Sequence, residues 1–567
     1  AGVLRREGAT LRAEIPVGAP VFWSPRAPVL YEVGVQLPDR GARKGDFVGT
    51  RAAFRSIQAV GDQLRLNGVP LNVRGLLNWG YYPPRLAPFP DEGRFRRDLA
   101  FARERGFNLM KFCLWVPPRR YLEMCDEFGM LAWMEYPTWH PQLTPQFLEP
   151  LRREFIEFFQ YDRNHPSVIL RSLTCETGPG ADLEVIQSLY DLAHAMIPGA
   201  VIEDDSSWIE WNRVSDFFDD HPYGNNHTWV RTIGRLTRYA AEHGPKPLVL
   251  GEAMAADTWV PRQPLENRLR GERPYWTPAA FDRQPAWMDQ MRALAGPEGL
   301  DQLLPDSLRY AWLMRKYQVE AFRREAPQGG YVISVIRDIP KASMGLIDFL
   351  DRPKWPARAW DWQGDTICLL ETQDDCRSFE AGGRLRGSMR VSHFGVEDLD
   401  EAELAVTLAV EGVRDSARST QRARLPRLAP GSVFEGLDMD ISLPESDRPV
   451  AAVVQAEVRA GRQRFRNHWP VWIVPRQSLP AGTTLRAGAS GDAGAMAEVF
   501  PGIEGSSGDD LSEIRVAARF DDGLVDFLER GGRVLMLPDG GAGSFRLSAH
   551  WFLRGAPYVP GHALMGR

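Results

Sequence analysis

Hydrophobic and polar residues alternate over the first 66 residues in the way that is typical of β-strands. The alternating segments are Leu11–Ile15, Leu30–Leu37, Ala53–Ile57 and Leu64–Leu66, and glycine and proline residues separate them. Short alternating strands broken by such residues predict an antiparallel sandwich. Because so few strands cannot close a sandwich, residues 1–66 are predicted to be an incomplete immunoglobulin-like β-sandwich. We therefore expect the native chain to extend upstream.

From residue 71 the pattern changes to apolar strand-like segments that alternate with helical ones. The eight candidate strands are Leu71–Gly75, Phe107–Cys113, Met130–Tyr136, Val168–Thr174, Ala200–Glu203, Asp216–Asp220, Pro247–Leu250 and Gly330–Ile336. Most are separated by helical stripes, such as Phe95, Leu99 and Ala102. This alternation predicts a (β/α)8 TIM barrel over residues 67–360. A doubly wound sheet is disfavoured because no glycine-rich phosphate turn follows the first strand. The long segment 253–329 is expected to be a wall of the site or an interface.

Short alternating strands return after the barrel, and residues 361–476 are predicted to form a second β-sandwich. The final region, residues 477–567, changes again. Leu524–Arg530 has a helical pattern, and the run that begins Gly531-Gly-Arg-Val is typical of a buried parallel strand. The predicted fold class is therefore multidomain, with a TIM barrel between immunoglobulin-like β-sandwich domains and a partial C-terminal α/β domain.

Composition narrows the range of partners. The 567 residues carry a net charge of -6, which argues against nucleic acid or an anionic membrane as the main partner. No apolar run approaches the roughly 18 residues of a membrane span. The five cysteines show no CxxC spacing, so a metal cluster or a disulfide scaffold is not expected. Cys368 and Cys376 are left open as a pair or as two buried free thiols. No signal peptide is visible; a secreted or periplasmic location is only a guess.

Two glutamates occupy matching positions in the predicted barrel. Glu176 ends the run that starts at Ser167, and Glu252 ends the run that starts at Pro247. The carboxyl ends of barrel strands meet at one open face. Two carboxylates that meet there have the groups needed to cleave a glycosidic bond as acid/base and nucleophile. A barrel-rim salt bridge is the alternative for either glutamate alone. No metal is predicted, because the cluster of Asp219, Asp220 and His221 lacks a repeated ligand spacing.

Several motifs resemble glycoside hydrolase family 2, the family of β-galactosidases, β-glucuronidases and β-mannosidases. They include Trp23-Ser-Pro, Leu66-Asn-Gly-Val-Pro, Tyr121-Leu-Glu-Met-Cys-Asp and Arg163-Asn-His-Pro, and the likeness extends to about Val474. The family's N-terminal sugar-binding jelly roll has no counterpart. The resemblance implies that Glu176 is the acid/base, that Glu252 is the nucleophile, and that the anomeric configuration is retained. In the family an asparagine that binds the sugar 2-hydroxyl precedes the acid/base, and Cys175 stands there instead.

Further residues that follow the predicted strands are candidates for contact with the sugar. They are Cys175, Tyr223, His221, Trp139, His140, Trp79, Trp115, Asp204, Trp259 and Arg337. Tyr223 is expected to hydrogen-bond the Glu252 carboxylate, and at least two of the four tryptophans are expected to face the pocket. Core packing, helix capping near Asp204 and an ion pair of Arg337 with Asp338 are the structural alternatives.

Two functional hypotheses follow from these residues. The first is a retaining exo-β-glycosidase that acts on terminal β-linked sugars of oligo- or polysaccharides. The second, which Cys175 motivates, is a catalytically weak or inactive carbohydrate-binding protein on the same scaffold. Both imply a carbohydrate partner and no cofactor, and they leave open whether the chain forms a homo-oligomer.

Overall fold

The computed structural model describes residues 5–8, 10–39, 41, 44–85, 90–412, 419–475, 485–487, 504–505, 510–511 and 513–536. The N-terminal part contains seven short strands: β1 (Arg5–Glu7), β2 (Thr10–Arg12), β3 (Tyr31–Leu37), β4 (Asp46–Ala52), β5 (Ile57–Val60), β6 (Gln63–Leu66) and β7 (Val69–Leu71). They form two hairpins, β1–β2 and β3–β4, and a three-stranded antiparallel sheet of β5, β6 and β7.

One strand prediction in this region was wrong. The chain from Ala53 to Ile57 is mostly a connection, in which Phe54 makes a single bridge to Phe22. The neighbouring strand β4 was missed instead. Nearly all of β4 is exposed, so it has no buried face that would impose an alternating pattern on its sequence.

Eight parallel strands form the barrel, as predicted: β8 (Arg74–Asn78), β9 (Leu109–Phe112), β10 (Leu131–Glu135), β11 (Val168–Cys175), β12 (Val201–Ser206), β13 (Phe218–Asp220), β14 (Leu248–Ala253) and β15 (Gly330–Ile333). Their order in the sheet is β12-β11-β10-β9-β8-β15-β14-β13. Backbone hydrogen bonds from Asp204 to Val214 and from Asp216 to Ile202 join the two outer strands through the segment that precedes β13. The first strand lies further along the chain than predicted, because Leu71 belongs to β7.

The helices around the barrel are α1 (Glu92–Glu104), α2 (Arg119–Phe128), α3 (Leu148–Asp162), α4 (Leu183–Met196), α5 (Asn226–Glu242), α6 (Arg262–Leu269) and α7 (Ala280–Glu325). The predicted stripe of Phe95, Leu99 and Ala102 is buried on α1. Gly129 ends α2 with a φ of 74°, which is the left-handed conformation that favours glycine at a helix end. A short 3-10 helix, Ile209–Trp211, takes the place of an α-helix between β12 and β13.

The segment between β14 and β15 contains α6 and the long α7, which is broken at Gly296. Val260, Leu265, Leu269 and Phe281 form a small core there together with Phe349. The segment thus packs on the chain that follows β15. In the described ranges, no helix combines the length and the apolar character needed to cross a membrane.

Eight strands follow the barrel: β16 (Thr366–Thr372), β17 (Ser378–Glu380), β18 (Arg384–His393), β19 (Glu403–Val410), β20 (Ser419–Arg424), β21 (Ser432–Ser442), β22 (Val450–Ala460) and β23 (Gln463–Val474). One sheet has the order β16-β18-β21, and the other has the order β17-β23-β22-β19-β20. Residues from both sheets, including Leu385, Met389, Val406 and Val454, share one core, so this region is a β-sandwich as predicted.

The last described region is a small parallel sheet. Its elements are β24 (Leu485–Ala487), β25 (Glu504–Gly505), β26 (Ile514–Ala517), α8 (Asp522–Glu529) and β27 (Arg533–Met536). The four strands are parallel, in agreement with the predicted partial α/β domain. All five cysteines are free thiols, which settles the alternative left open for Cys368 and Cys376; Cys368 is buried, but Cys376 is exposed.

Candidate active site

Glu176 and Glu252 both lie at the carboxyl-terminal end of the barrel. Glu176 directly follows β11, and Glu252 is the last residue but one of β14. Glu176 has a φ of 48°, and its backbone N–H donates to the carbonyl of Ser206 at the end of β12. A non-glycine residue in this conformation is held there by its surroundings, and such residues concentrate at functional sites. Met254, which directly follows β14, and Leu114, two residues beyond the end of β9, also have a positive φ.

The Glu176 carboxylate has a partner at each oxygen. The Nδ1 atom of His221 lies 3.1 Å from Oε1, and the indole N–H of Trp139 donates to Oε2 at 3.2 Å. Burial alone would raise the pKa of Glu176, but the hydrogen bond and the charge of His221 bring the pKa below its usual value. His221 beside the carboxylate therefore favours the ionised form of Glu176.

Glu252 is more deeply buried. The hydroxyl of Tyr223 donates to Oε2, which is the hydrogen bond expected from the sequence, and the thiol of Cys113 lies 3.4 Å from Oε1. Burial raises the pKa of Glu252 above its usual value, although His221 and Lys111 act in the opposite direction. The oxygen that faces Tyr223 is thus fixed in place.

A chain of buried polar groups runs beneath the two glutamates. Lys111 Nζ lies 2.7 Å from Glu135 Oε2 and donates to Ser206 Oγ at 2.7 Å. Ser206 Oγ lies 2.6 Å from Asp219 Oδ2 and 3.1 Å from His221 Nε2. Burial would lower the pKa of His221, but its acidic neighbours raise it well above its usual value. The imidazole of His221 connects these buried groups to Glu176.

Cys175 ends β11 and is 2% exposed. Burial and then the neighbouring Glu135 and Glu252 raise the pKa of its thiol well above the usual value, so that it remains neutral. Trp79 is half-buried, and its indole N–H donates to Cys113 Sγ at 3.0 Å.

Three candidate contacts to the sugar are structural residues instead. Trp115 is 5% exposed, and its indole N–H donates to the carbonyl of Asn78. Asp204 accepts hydrogen bonds from the backbone N–H and the guanidinium of Arg213. Arg337 is 3% exposed.

The ion pair predicted for Arg337 was also wrong. Its guanidinium lies 3.0 Å from Asp98 and 2.7 Å from Asp351. Asp338, the predicted partner, instead lies 2.7 Å from Lys354 Nζ. Both side chains are saturated by protein groups, and neither is left to bind a substrate substituent.

The other candidates keep their predicted status. Trp139 is 59% exposed, and the exposed ring of His140 lies 4.7 Å from it. Trp259 is half-buried on the segment after β14, and its contact with a sugar stays a prediction.

The sequence reasoning missed Lys111 and Glu135. A charged residue inside an otherwise apolar barrel strand was the signal that would have found them.

Part of the chain is similar in sequence to bacterial β-galactosidases. No protein-family model matches the chain. The β-galactosidase of Vibrio cholerae is 30% identical over 176 residues, which is 30% of this chain and 17% of that protein. The β-galactosidase of Lactococcus lactis is 30% identical over 187 residues, or 32% of this chain and 18% of that protein. About a third of the chain is therefore similar to bacterial β-galactosidases, and it spans less than a fifth of their length.

A solved structure agrees at the level of the fold. The β-D-mannosidase of Dictyoglomus thermophilum superposes with a TM-score of 0.58 over 82% of this chain and 59% of the mannosidase chain, at 14% identity. The similarity therefore covers the barrel together with flanking sandwich structure, while the matched curated relatives are much longer than the aligned part.

Proposed function

We propose that this chain, which resembles glycoside hydrolase family 2, is a retaining exo-β-glycosidase in which Glu252 is the nucleophile and Glu176 the acid/base. The observation that carries the proposal is the shared support of the two carboxylates. His221 and Tyr223, two residues apart after β13, contact Glu176 and Glu252 respectively. The β-galactosidases among the relatives favour the same reaction class. Retention requires carboxyl groups about 5–5.5 Å apart.

In the proposed first step, Glu252 attacks the anomeric carbon while a proton passes to the glycosidic oxygen, and the leaving group departs as an alcohol. The bond between that carbon and the leaving oxygen breaks as a glycosyl ester of Glu252 forms. Tyr223 holds the other carboxylate oxygen of Glu252 during the attack. In the second step Glu176 accepts a proton from water, whose oxygen displaces Glu252 and releases the sugar.

The proton of the first step is assigned to the Glu176–His221 pair as a unit. Charged His221 carries it 3.1 Å from Glu176 Oε1, and transfer across this hydrogen bond gives the protonated carboxyl that the leaving group needs. The lowered pKa of Glu176 keeps the carboxylate ionised, which is the form that accepts the proton of the second step.

A carbohydrate-binding protein is the second candidate, and two observations favour it. Cys175 offers only a weak hydrogen-bonding group where the family has an amide, and Glu176 is held in its ionised form. Binding needs neither a protonated Glu176 nor a nucleophile.

Hydrolysis of a panel of aryl β-glycosides (galactoside, glucuronide, mannoside, glucoside and arabinoside) tests the proposal. Glu252→Gln should abolish turnover of the substrate that is cleaved, and the exposed Glu184→Gln on α4 is the matched control. Glu176→Ala should be slow and should regain rate with azide, giving a β-glycosyl azide, because azide needs no base to attack the glycosyl ester. Turnover that survives Glu252→Gln would overturn the assignment.

The two functions separate in one further comparison. Calorimetric titration with the corresponding free sugars should show binding in the wild type and in Glu176→Gln under either hypothesis. Sugar binding without any turnover in the wild type would establish the binding protein. If the wild type instead shows slow turnover, Cys175→Asn is expected to raise the rate by about 10–100-fold, since one hydrogen bond to a charged or developing-charge centre contributes about 1.5–3 kcal/mol.

A further inference from the structure

Three potential metal ligands, one of them the proposed nucleophile Glu252, come together from separate barrel strands. A ligand atom of each of Cys113, Glu135 and Glu252 lies within 4.8 Å of the others, and all three residues are buried. Cys113 directly follows β9, Glu135 ends β10 and Glu252 belongs to β14. Because the ligands come from distant parts of the chain, no motif spacing in the sequence indicates them.

One oxygen in this cluster lacks a partner. Glu135 is fully buried, and its Oε1 atom accepts no hydrogen bond from the residues that the structure describes. Its other oxygen, Oε2, faces the ammonium of Lys111. A buried carboxylate oxygen normally has a hydrogen-bond donor or a cation beside it, because its desolvation is otherwise uncompensated.

The distances suit a small tetrahedral ion. Cys113 Sγ and Glu252 Oε1 are 3.4 Å apart. Zinc bonds of about 2.3 Å to sulfur and 2.0–2.2 Å to oxygen place two such ligands about 3.5 Å apart at the tetrahedral angle. The carboxylate of Glu135, whose ligand atom lies within 4.8 Å of the other two, would complete three protein ligands and leave a fourth position open.

Charge and ligand softness select the kind of ion. A Cys113 thiolate and two carboxylates carry three negative charges, and a divalent cation together with Lys111 supplies three positive ones. The sulfur ligand favours Zn²⁺ over Mg²⁺ or Ca²⁺, which prefer oxygen ligands alone. Trp79, whose indole N–H already points at Cys113 Sγ, would stabilise the thiolate.

We propose that Cys113, Glu135 and Glu252 form a binding site for a thiophilic divalent cation, represented by Zn²⁺, which withdraws Glu252 from catalysis. Binding replaces the Cys113 S–H bond by a metal–sulfur bond and releases the proton to solvent. The binding itself is independent of the proposed function, and only its inhibitory effect rests on that function.

Cobalt substitution tests the binding on the full chain. Co²⁺ added to the wild type should give a thiolate-to-cobalt charge-transfer band in the near ultraviolet, at one ion per chain, which Zn²⁺ removes and Mg²⁺ does not. Cys113→Ser should lose this band, and Glu135→Gln should weaken binding by about tenfold or more. Cys125→Ser, which removes a buried thiol of α2, and Cys376→Ser, which removes the exposed thiol, are the matched controls and should keep it. Calorimetry in two buffers of different ionisation enthalpy should detect the released proton.

The outcomes distinguish this proposal from the proposed function. A band that persists in Cys113→Ser but disappears in Cys376→Ser would identify the exposed thiol as the ligand and overturn the proposal, as would no band in the wild type. Circular dichroism and a melting curve establish that each variant is folded. If an aryl glycoside is turned over, Zn²⁺ should inhibit the wild type and should inhibit Cys113→Ser at least tenfold more weakly, relative to that variant's own rate. If none is turned over, the glycosidase proposal fails and the cobalt band still decides the metal site.

Discussion

The pairing of His221 with Glu176 predicts a change in the pH dependence of hydrolysis. Gln in place of His221 retains a hydrogen-bond donor but removes the charge. At the observed 3.1 Å separation, Coulomb's law gives about 1.3 kcal/mol at the dielectric constant of water and about 5 kcal/mol at an effective value of 20. Because one pKa unit corresponds to about 1.36 kcal/mol, the two partners push their pKa values apart by at least about one unit.

In the wild type the active form contains one proton in the pair, and it persists until His221 loses its proton. The pKa of His221 is raised well above its usual value of 6.5, so the basic limb of kcat/KM should lie above that value. In His221→Gln the proton has to remain on Glu176 itself, whose carboxyl loses it at lower pH. The basic limb should therefore move down by at least about one unit.

The assay is kcat/KM against pH on the aryl glycoside that the wild type cleaves, at constant ionic strength. His243→Gln, an exposed histidine at the end of α5, is the control and should leave the profile in place. A basic limb that stays in position or moves up in His221→Gln would refute the shared proton, whereas a loss of rate without any shift would leave His221 a role in positioning alone.

Three further predictions concern stability. Lys111→Met leaves Glu135 as an unpaired buried carboxylate and should lower the free energy of unfolding in urea by about 3–5 kcal/mol. The double variant with Glu135→Met should recover most of this loss. An equal loss in the single and the double variant would contradict the prediction. Burial raises the pKa of Asp220 from 3.8 to about 7, so the stability of the wild type should decline as the pH rises through this range. Asp220→Asn should resist the decline, and melting temperatures at about pH 5 and about pH 8 will measure the difference. Gly129→Ala should lower the melting temperature of the protein more than Gly199→Ala does. Both glycines have a φ of 74°, but an added Cβ meets a carbonyl oxygen at 2.5 Å only at Gly129. Equal losses would show that the backbone conformation alone matters.

The barrel was predictable because most of its strands contain a short apolar run and all are buried, and such runs stand out in a sequence. The same property located Glu176 and Glu252, since a carboxylate at the end of such a run has to leave the core. By contrast, β4 has no buried face and left no pattern. The buried partners of the site were also hidden from sequence reasoning.

Arg337 illustrates why those partners were missed. Its salt-bridge partner Asp98 is 239 residues away along the chain, whereas the sequence suggested the adjacent Asp338. Ion pairs are decided by which side chains the barrel brings together across its interior, and that information appears only when all strands are in register. The same holds for the contact between His221 and Glu176, which are 45 residues apart along the chain.

The backbone at Glu176 has a consequence for engineering. A residue with a Cβ adopts its left-handed conformation, φ 48°, at a cost of about 1–2 kcal/mol, whereas glycine adopts it freely. Glycine at this position would relieve that cost but would leave the buried His221 without the carboxylate beside it. The backbone conformation and the His221 contact therefore act in opposite directions on stability at this single position, so any variant made here has to be screened for stability and hydrolysis in the same round.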